Sequence, residues 1–162
     1  MRRQDREIKE FQEILSVMEH CDVCRIAMFD GEYPYLVPLN FGMETAGSRV
    51  TLYFHAANKG KKLELLRSNP RVCFEMDCNH QLHFDNRNGM CTMAYESVIG
   101  YGTILFLEEE KEKIHGLDLL TAHYHPKDNF YYNRAAVAYT EVFLLEVISF
   151  TGKHRELKKE ST

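Results

Sequence analysis

Residues 50–77 read VTLYFHAANKGKKLELLRSNPRVCFEMD, and their order decides the fold. Val50–His55 is rich in β-branched and aromatic side chains and reads as a strand. Ala56–Gly60 reads as a loop, and Lys61–Ser68 as a short helix that Asn69-Pro70 stops, since the residue before a proline is pushed out of helical geometry. Arg71–Asp77 reads as the next strand. The loop carries a conflict of charge. Lys59, Lys61 and Lys62 crowd the helix start with no acid among them. Unpaired N–H groups already make that end partly positive, and lysines complement the opposite end. An anion seated at the helix start removes the conflict.

Working outward, Arg6–His20 places Ile8, Phe11, Ile14, Leu15 and Met18 at helical spacing. Cys24–Phe29 and Tyr35–Phe41 flank the turn signal Asp30-Gly31. Pro38 cannot donate to a ladder, so it marks an edge or a bulge in the second of these strands. A turn at Thr45–Arg49 precedes Val50. Beyond Asp77, the polar segment Cys78–Gly89 reads as a loop and Ser97–Leu107 as a strand. Glu108–Tyr124 reads as a helix, and Val137–Phe150 as a last strand before a basic tail. Helices do not alternate with strands, which argues against a parallel α/β sheet. The pattern predicts a mainly β fold: a small six-stranded antiparallel barrel with peripheral α-helices.

The chain has 162 residues, the size of one domain. Its net charge of −4 leaves no general case for nucleic-acid binding, so any cationic site is local. No apolar run approaches the roughly 18 residues of a membrane span. The N-terminal MRRQDREIKEF lacks the apolar segment of a secretory signal, so the expected location is cytoplasmic. Five cysteines, an odd number, fit free thiols.

Three constellations carry chemistry. In the first, Gly60 permits close backbone approach, N–H groups at the helix start can face phosphate oxygens, and Lys61 and Lys62 add charge-assisted bonds. The competing reading is a solvated lysine-rich turn; GxxxxGK[ST] is absent, so this is no Walker loop. The second is PYLVPLNF, residues 34–41. A strand interrupted by Pro38 has backbone groups to spare for a planar heterocycle, and Asn40 offers a donor and an acceptor. Its competing reading is an ordinary edge strand. The third is the cysteine and histidine content. Cys21 and Cys24 form a CxxC better read as buried thiols, and Cys78, His80, His83 and Cys91 are a speculative zinc set matching no known spacing. His123 and His125 end a helix, where histidine complements the dipole. Neither GxSxG nor HExxH occurs.

The order DVCRIAM, YPYLVPLNFG, the quoted stretch, YESVIGYGTILFLEE and a terminal TGK resembles the pyridoxamine 5′-phosphate oxidase-like proteins with the FMN-binding split barrel. Within them it is most similar to the Nim-type group, named for 5-nitroimidazole resistance. The resemblance covers about residues 3–153. It implies a six-stranded split barrel and a homodimer with two FMN sites at the subunit interface. It implies that Val37, Pro38, Leu39 and Asn40 line the isoalloxazine edge, with His55 and Ala56 beside the ring. Lys61 and Lys62 would hold the phosphate. Ser97 and Val98, and Thr151, Gly152 and Lys153, would approach from neighbouring strands or from the partner chain. The activity implied is an FMN-dependent oxidoreductase that reduces small nitroaromatic compounds. His55, a side chain that titrates near neutral pH, is the candidate catalytic proton donor; the competing reading is that it packs beside the flavin and hydrogen-bonds locally. No arginine-rich pattern of the true vitamin B6 oxidases is present, which argues against pyridoxamine phosphate oxidase activity. The alternative within the same fold is a flavin- or haem-binding carrier or sensor without turnover.

Overall fold

The computed structural model describes residues 3–85, 88–126 and 130–156. After a single 3-10 turn come β1 (Glu7–Ile8), α1 (Phe11–His20), β2 (Cys24–Asp30), β3 (Tyr33–Leu39), β4 (Gly42–Ala46) and β5 (Arg49–Ala57). Helix α2 (Lys61–Ser68) leads to β6 (Arg71–Asp85) and β7 (Met90–Leu107), then α3 (Glu110–Tyr124), α4 (Arg134–Ala138) and β8 (Thr140–Arg155). The strands follow the order β3-β2-β6-β7-β8-β5-β4, with β1 added on β8, and every pairing is antiparallel. This is the mainly β antiparallel barrel with peripheral helices that the element order predicts, in the split form that the resemblance implies.

The hairpins form where the turn chemistry demands. Gly31 and Gly47 take φ of +69° and +65° between β2 and β3 and between β4 and β5, a conformation that costs glycine nothing. Alternate residues then turn inward. Ile26 and Met28, Leu52 and Phe54, Phe74 and Met76, and Phe143 and Leu145 fill the interior with at most 2% exposure. Phe54 stacks on Phe143 at 5.5 Å between ring centroids, and Phe106 tilts onto the same ring at 5.7 Å. Each fully buried side chain of this size stabilises the fold by about 1.5–3 kcal/mol.

Two helices close the barrel from outside. Helix α1 buries Ile14, Leu15, Val17 and Met18. A Cβ on Gly152 would lie 2.8 Å from Ile14 Cγ1, so β8 needs glycine there. Helix α3 crosses over β4 and β5: a Cβ on Gly42 would meet the Leu120 backbone nitrogen at 2.4 Å. Its last residues are tied down by polar contacts. Tyr124 Oη donates to the Asp22 carbonyl at 2.7 Å and accepts from the Phe41 N–H at 3.2 Å. His123 Nε2 donates to the Cys21 carbonyl at 2.9 Å, and its ring lies 4.4 Å from Phe41.

The structure differs from the sequence reading at five places. The helix read over Arg6–His20 begins only at Phe11, and Ile8 lies in β1, paired with β8. The six expected strands are joined by β4 and the two-residue β1. Of the expected loop Cys78–Gly89, the part up to Asp85 is strand, because β6 continues that far as one arm of a long hairpin, broken by an irregularity between Cys78 and Gln81 where Asn79 takes φ +56°; residues 86–87 lie outside the described residues. Residues 137–138 close the short helix α4, and β8 starts at Thr140. The TGK tail lies in β8, paired with β7. Among the described residues, no helix is long and apolar enough to cross a membrane.

Candidate functional site

The start of α2 concentrates unsatisfied positive charge. Gly60 takes φ +132° and its carbonyl accepts from the N–H groups of Leu63 (3.0 Å) and Glu64 (3.3 Å). Among the described residues, the backbone N–H groups of Lys61 and Lys62 find no acceptor. The two lysines then part company. Lys61 Nζ forms an ion pair with Asp30 Oδ2 at the end of β2 and lies 5.0 Å from the centroid of the Tyr35 ring on β3. The bond to Asp30 raises its pKa. Lys62 is half-buried and has no acidic partner among the described residues, and burial lowers its pKa.

His55, near the end of β5, is exposed in the single chain, yet the surrounding sheet and helix still disfavour its cation. Desolvation, reinforced by the Lys62 ammonium, holds its pKa below 6.5. Ala56 is partly buried and packs against the core beside it. On β3, Val37 and Leu39 also pack against the core, while Pro38 and Asn40 are exposed. Strand β3 pairs only with β2 among the described residues, so its other edge is free, as Pro38 leads one to expect.

Strands β7 and β8 divide the remaining candidates. Ser97 pairs with Lys153, Val98 with Gly152 and Ile99 with Thr151. Val98 is fully buried in the core and Gly152 is packed under Ile8 and Ile14. Side-chain contact of these two with a ligand is therefore excluded by strand parity. Ser97, Thr151 and Lys153 point the other way and, with Ile99 and Tyr101, line an outer cleft of about 330 Å³.

Within one chain this outer cleft is remote from Lys61. Thr151, Ile99, Glu75 and Arg25 occupy one row across β8, β7, β6 and β2, and Asp30 lies five residues further along β2. Strand rise and spacing put the two places roughly 15–20 Å apart. The structure thus gathers Lys61, Lys62, His55 and Ala56 around Asp30 and Tyr35, and leaves Val37 to Asn40, further along β3, and Ser97, Thr151 and Lys153 outside that group.

Asp30 and Tyr35 were not legible as site residues. Asp30 precedes Gly31 and reads as a turn former, and nothing in the sequence marks it as the partner of Lys61. The cysteine readings resolve by burial. Cys21 and Cys24 are at most 1% exposed, and burial pushes both thiols far above their ordinary pKa, which makes them poor nucleophiles. The supposed zinc set does not converge. Cys78 Sγ donates to the Val17 carbonyl at 3.8 Å and His80 Nε2 pairs with Asp77 at 2.8 Å. Phe84 faces Cys91 across the hairpin, so His83 and Cys91 fall on opposite faces. Among the described residues, no three such side chains are grouped to hold a metal.

The profile of the Pyridoxamine 5′-phosphate oxidase family matches residues 10–154. The chain belongs to this family. A solved structure of a candidate 5-nitroimidazole antibiotic resistance protein from Bacteroides thetaiotaomicron is 36% identical, with a TM-score of 0.81, over 91% of this chain and 86% of that one. The flavocytochrome Anf3 from Azotobacter vinelandii aligns at a TM-score of 0.79 and 15% identity, over 99% of this chain and 75% of that one. The FAD and heme binding protein from Mycobacterium smegmatis aligns equally well, at 0.79 and 15%, over 97% and 77%. At such identity these two family-like structures speak for the fold alone. No curated protein sequence matches the chain.

Proposed function

We propose that this chain binds FMN as a homodimer and acts as an oxidoreductase on small nitroaromatic compounds. The observation that carries the reading is Lys62: a half-buried ammonium that, among the described residues, has no acidic partner and stands beside two unused N–H groups at a helix start. A dianionic phosphate satisfies all three, and the donor set fits no neutral ligand as well. Lys61 would supply a second charge, and the free β3 edge from Val37 to Asn40 would hydrogen-bond the ring system. The resistance protein from Bacteroides, 36% identical over most of both chains, supports a nitroaromatic substrate.

When bound, the flavin supplies the electrons for reduction. The chain's own residues hold its phosphate, orient its ring and exclude water. His55 stands beside Lys62 with its pKa lowered. The lowered pKa leaves its imidazole mostly neutral at neutral pH, which suits hydrogen bonding beside the ring better than proton donation. Ser97, Thr151 and Lys153 lie too far from Lys61 to serve the same cofactor in one chain, so they would complete the site of the partner. Closing the outer cleft against a second barrel would also cover Ile99 and Tyr101, which are 48% and 59% exposed.

The test is the absorbance spectrum of the purified protein, mass spectrometry of whatever acid releases, and light scattering for the mass in solution. A yellow dimer that releases FMN and is reoxidised by nitroaromatics meets the proposal. A protein that is colourless and fails to bind added FMN refutes it. Release of FAD would replace the cofactor, and FMN without substrate-dependent reoxidation would leave a carrier.

A further inference from the structure

We infer that Asp30 competes with the cofactor phosphate for Lys61 and so limits how tightly flavin is held. The inference rests on the phosphate reading of the α2 start. Lys61 is the first residue of α2. Side chains on a helix tilt toward its N-terminus, so Lys61 would naturally reach into the space before Gly60. Its ammonium is instead drawn onto the β2–β3 hairpin, bound to Asp30 and lodged by the Tyr35 ring. Lys62, the neighbouring residue, has no such acid among the described residues. Of two cations at one anion site, one is already neutralised by the protein itself.

A phosphate that bonds Lys61 must share the ammonium with Asp30. Two hydrogen bonds diverging tetrahedrally from one nitrogen set the nearest carboxylate and phosphate oxygens about 4.5–5 Å apart. At that separation two anions repel even in a watery setting. Asp30 thus works against binding in two ways: it holds Lys61 away from the phosphate, and it repels the phosphate that arrives. The pair would keep the cofactor exchangeable, and its effect would be specific to the phosphate and blind to the ring.

Asp30→Asn tests this, because asparagine keeps the shape and can still accept from Lys61 while losing the charge. Affinities for FMN and for riboflavin, which lacks the phosphate, are measured by titration on the wild type and the variant. The expected result is FMN binding about tenfold tighter in Asp30→Asn, with riboflavin unchanged. As a second probe, inorganic phosphate should raise the melting temperature of the variant more than that of the wild type. Unchanged or weaker FMN binding in the variant overturns the inference, the weaker case making Asp30 a positioning residue. A wild type that binds FMN and riboflavin equally well has no phosphate site. The phosphate reading then fails on its own ground, whatever Asp30→Asn does, and the inference goes with it.

Discussion

Replacing Lys62 by methionine separates a structural lysine from one that waits for an anion. Methionine keeps an unbranched apolar stem and removes the charge. The Lys62 ammonium is half-buried without an acid, and desolvation is the one cause that lowers its pKa. Its charge therefore costs the folded, cofactor-free protein free energy. Removing such a charge commonly stabilises by about 0.5–1 kcal/mol. At this chain length that raises the melting temperature by about 1–4 °C. The same substitution deletes a charged hydrogen bond to phosphate, which contributes about 1.5–3 kcal/mol. FMN affinity should then fall about 10- to 150-fold. The two effects have opposite signs, and that contrast is the signature. Thermal unfolding of the cofactor-free protein by circular dichroism reads the first, and quenching of FMN fluorescence reads the second. A variant that is less stable yet binds FMN as before would refute the reasoning, because Lys62 would then be a packing residue.

Three further outcomes follow from the geometry. Gly100→Ala should destabilise by about 3 kcal/mol, because its Cβ would lie 2.4 Å from Cε1 of the fully buried Phe74 and 2.7 Å from the Ser149 carbonyl; a melting temperature near that of the wild type would contradict it. Tyr124→Phe removes the tie between α3, Asp22 and Phe41, at a cost of about 1–3 kcal/mol, and should speed hydrogen exchange at the Phe41 amide. His55 bears on pH. Its pKa lies below 6.5 in the folded chain, so between that lowered value and 6.5 the unfolded chain binds more protons. Stability then rises with pH through that window and is lost as pH falls through it. His55→Gln should flatten this acid-side loss in melts recorded from pH 5 to 8, and an unchanged slope would assign it to other groups.

The parts of the fold that were legible are those where local chemistry and global structure agree. Gly60 and Asn69-Pro70 bracket α2 in the sequence as they do in space, and Pro38 announces a free strand edge. The long hairpin was hidden because its tip is exposed on both faces: Leu82, Phe84 and Met90 are all more than half exposed. Gln81-Leu82-His83-Phe84-Asp85 does alternate, but the run is short and set among polar residues, so it reads as a loop. Short β4 was hidden for a related reason, since the sequence GMETA carries little β preference and its pairing with β5 comes from tertiary contact. At the start of α2, the crowding of Lys61 and Lys62 was legible from charge alone. Their different fates were not, because the Asp30 partner lies thirty-one residues earlier and its role exists only once the hairpin folds back over α2. Val98 and Gly152 were assigned to the ligand by position in a motif, and strand parity, invisible until the register is known, turns both inward.

That parity has a consequence for how the protein can change. Along β7 and β8, neighbouring residues answer to different demands, one to the interior and the next to the outer cleft. Substitutions at Ser97, Thr151 and Lys153 can alter what the cleft accepts while the core stays intact, whereas changes at Val98, Gly100 and Gly152 are judged on folding. A survey of every single substitution should therefore show a two-residue stripe of tolerance along these strands. New chemistry and continued foldability would be inherited on separate, interleaved positions.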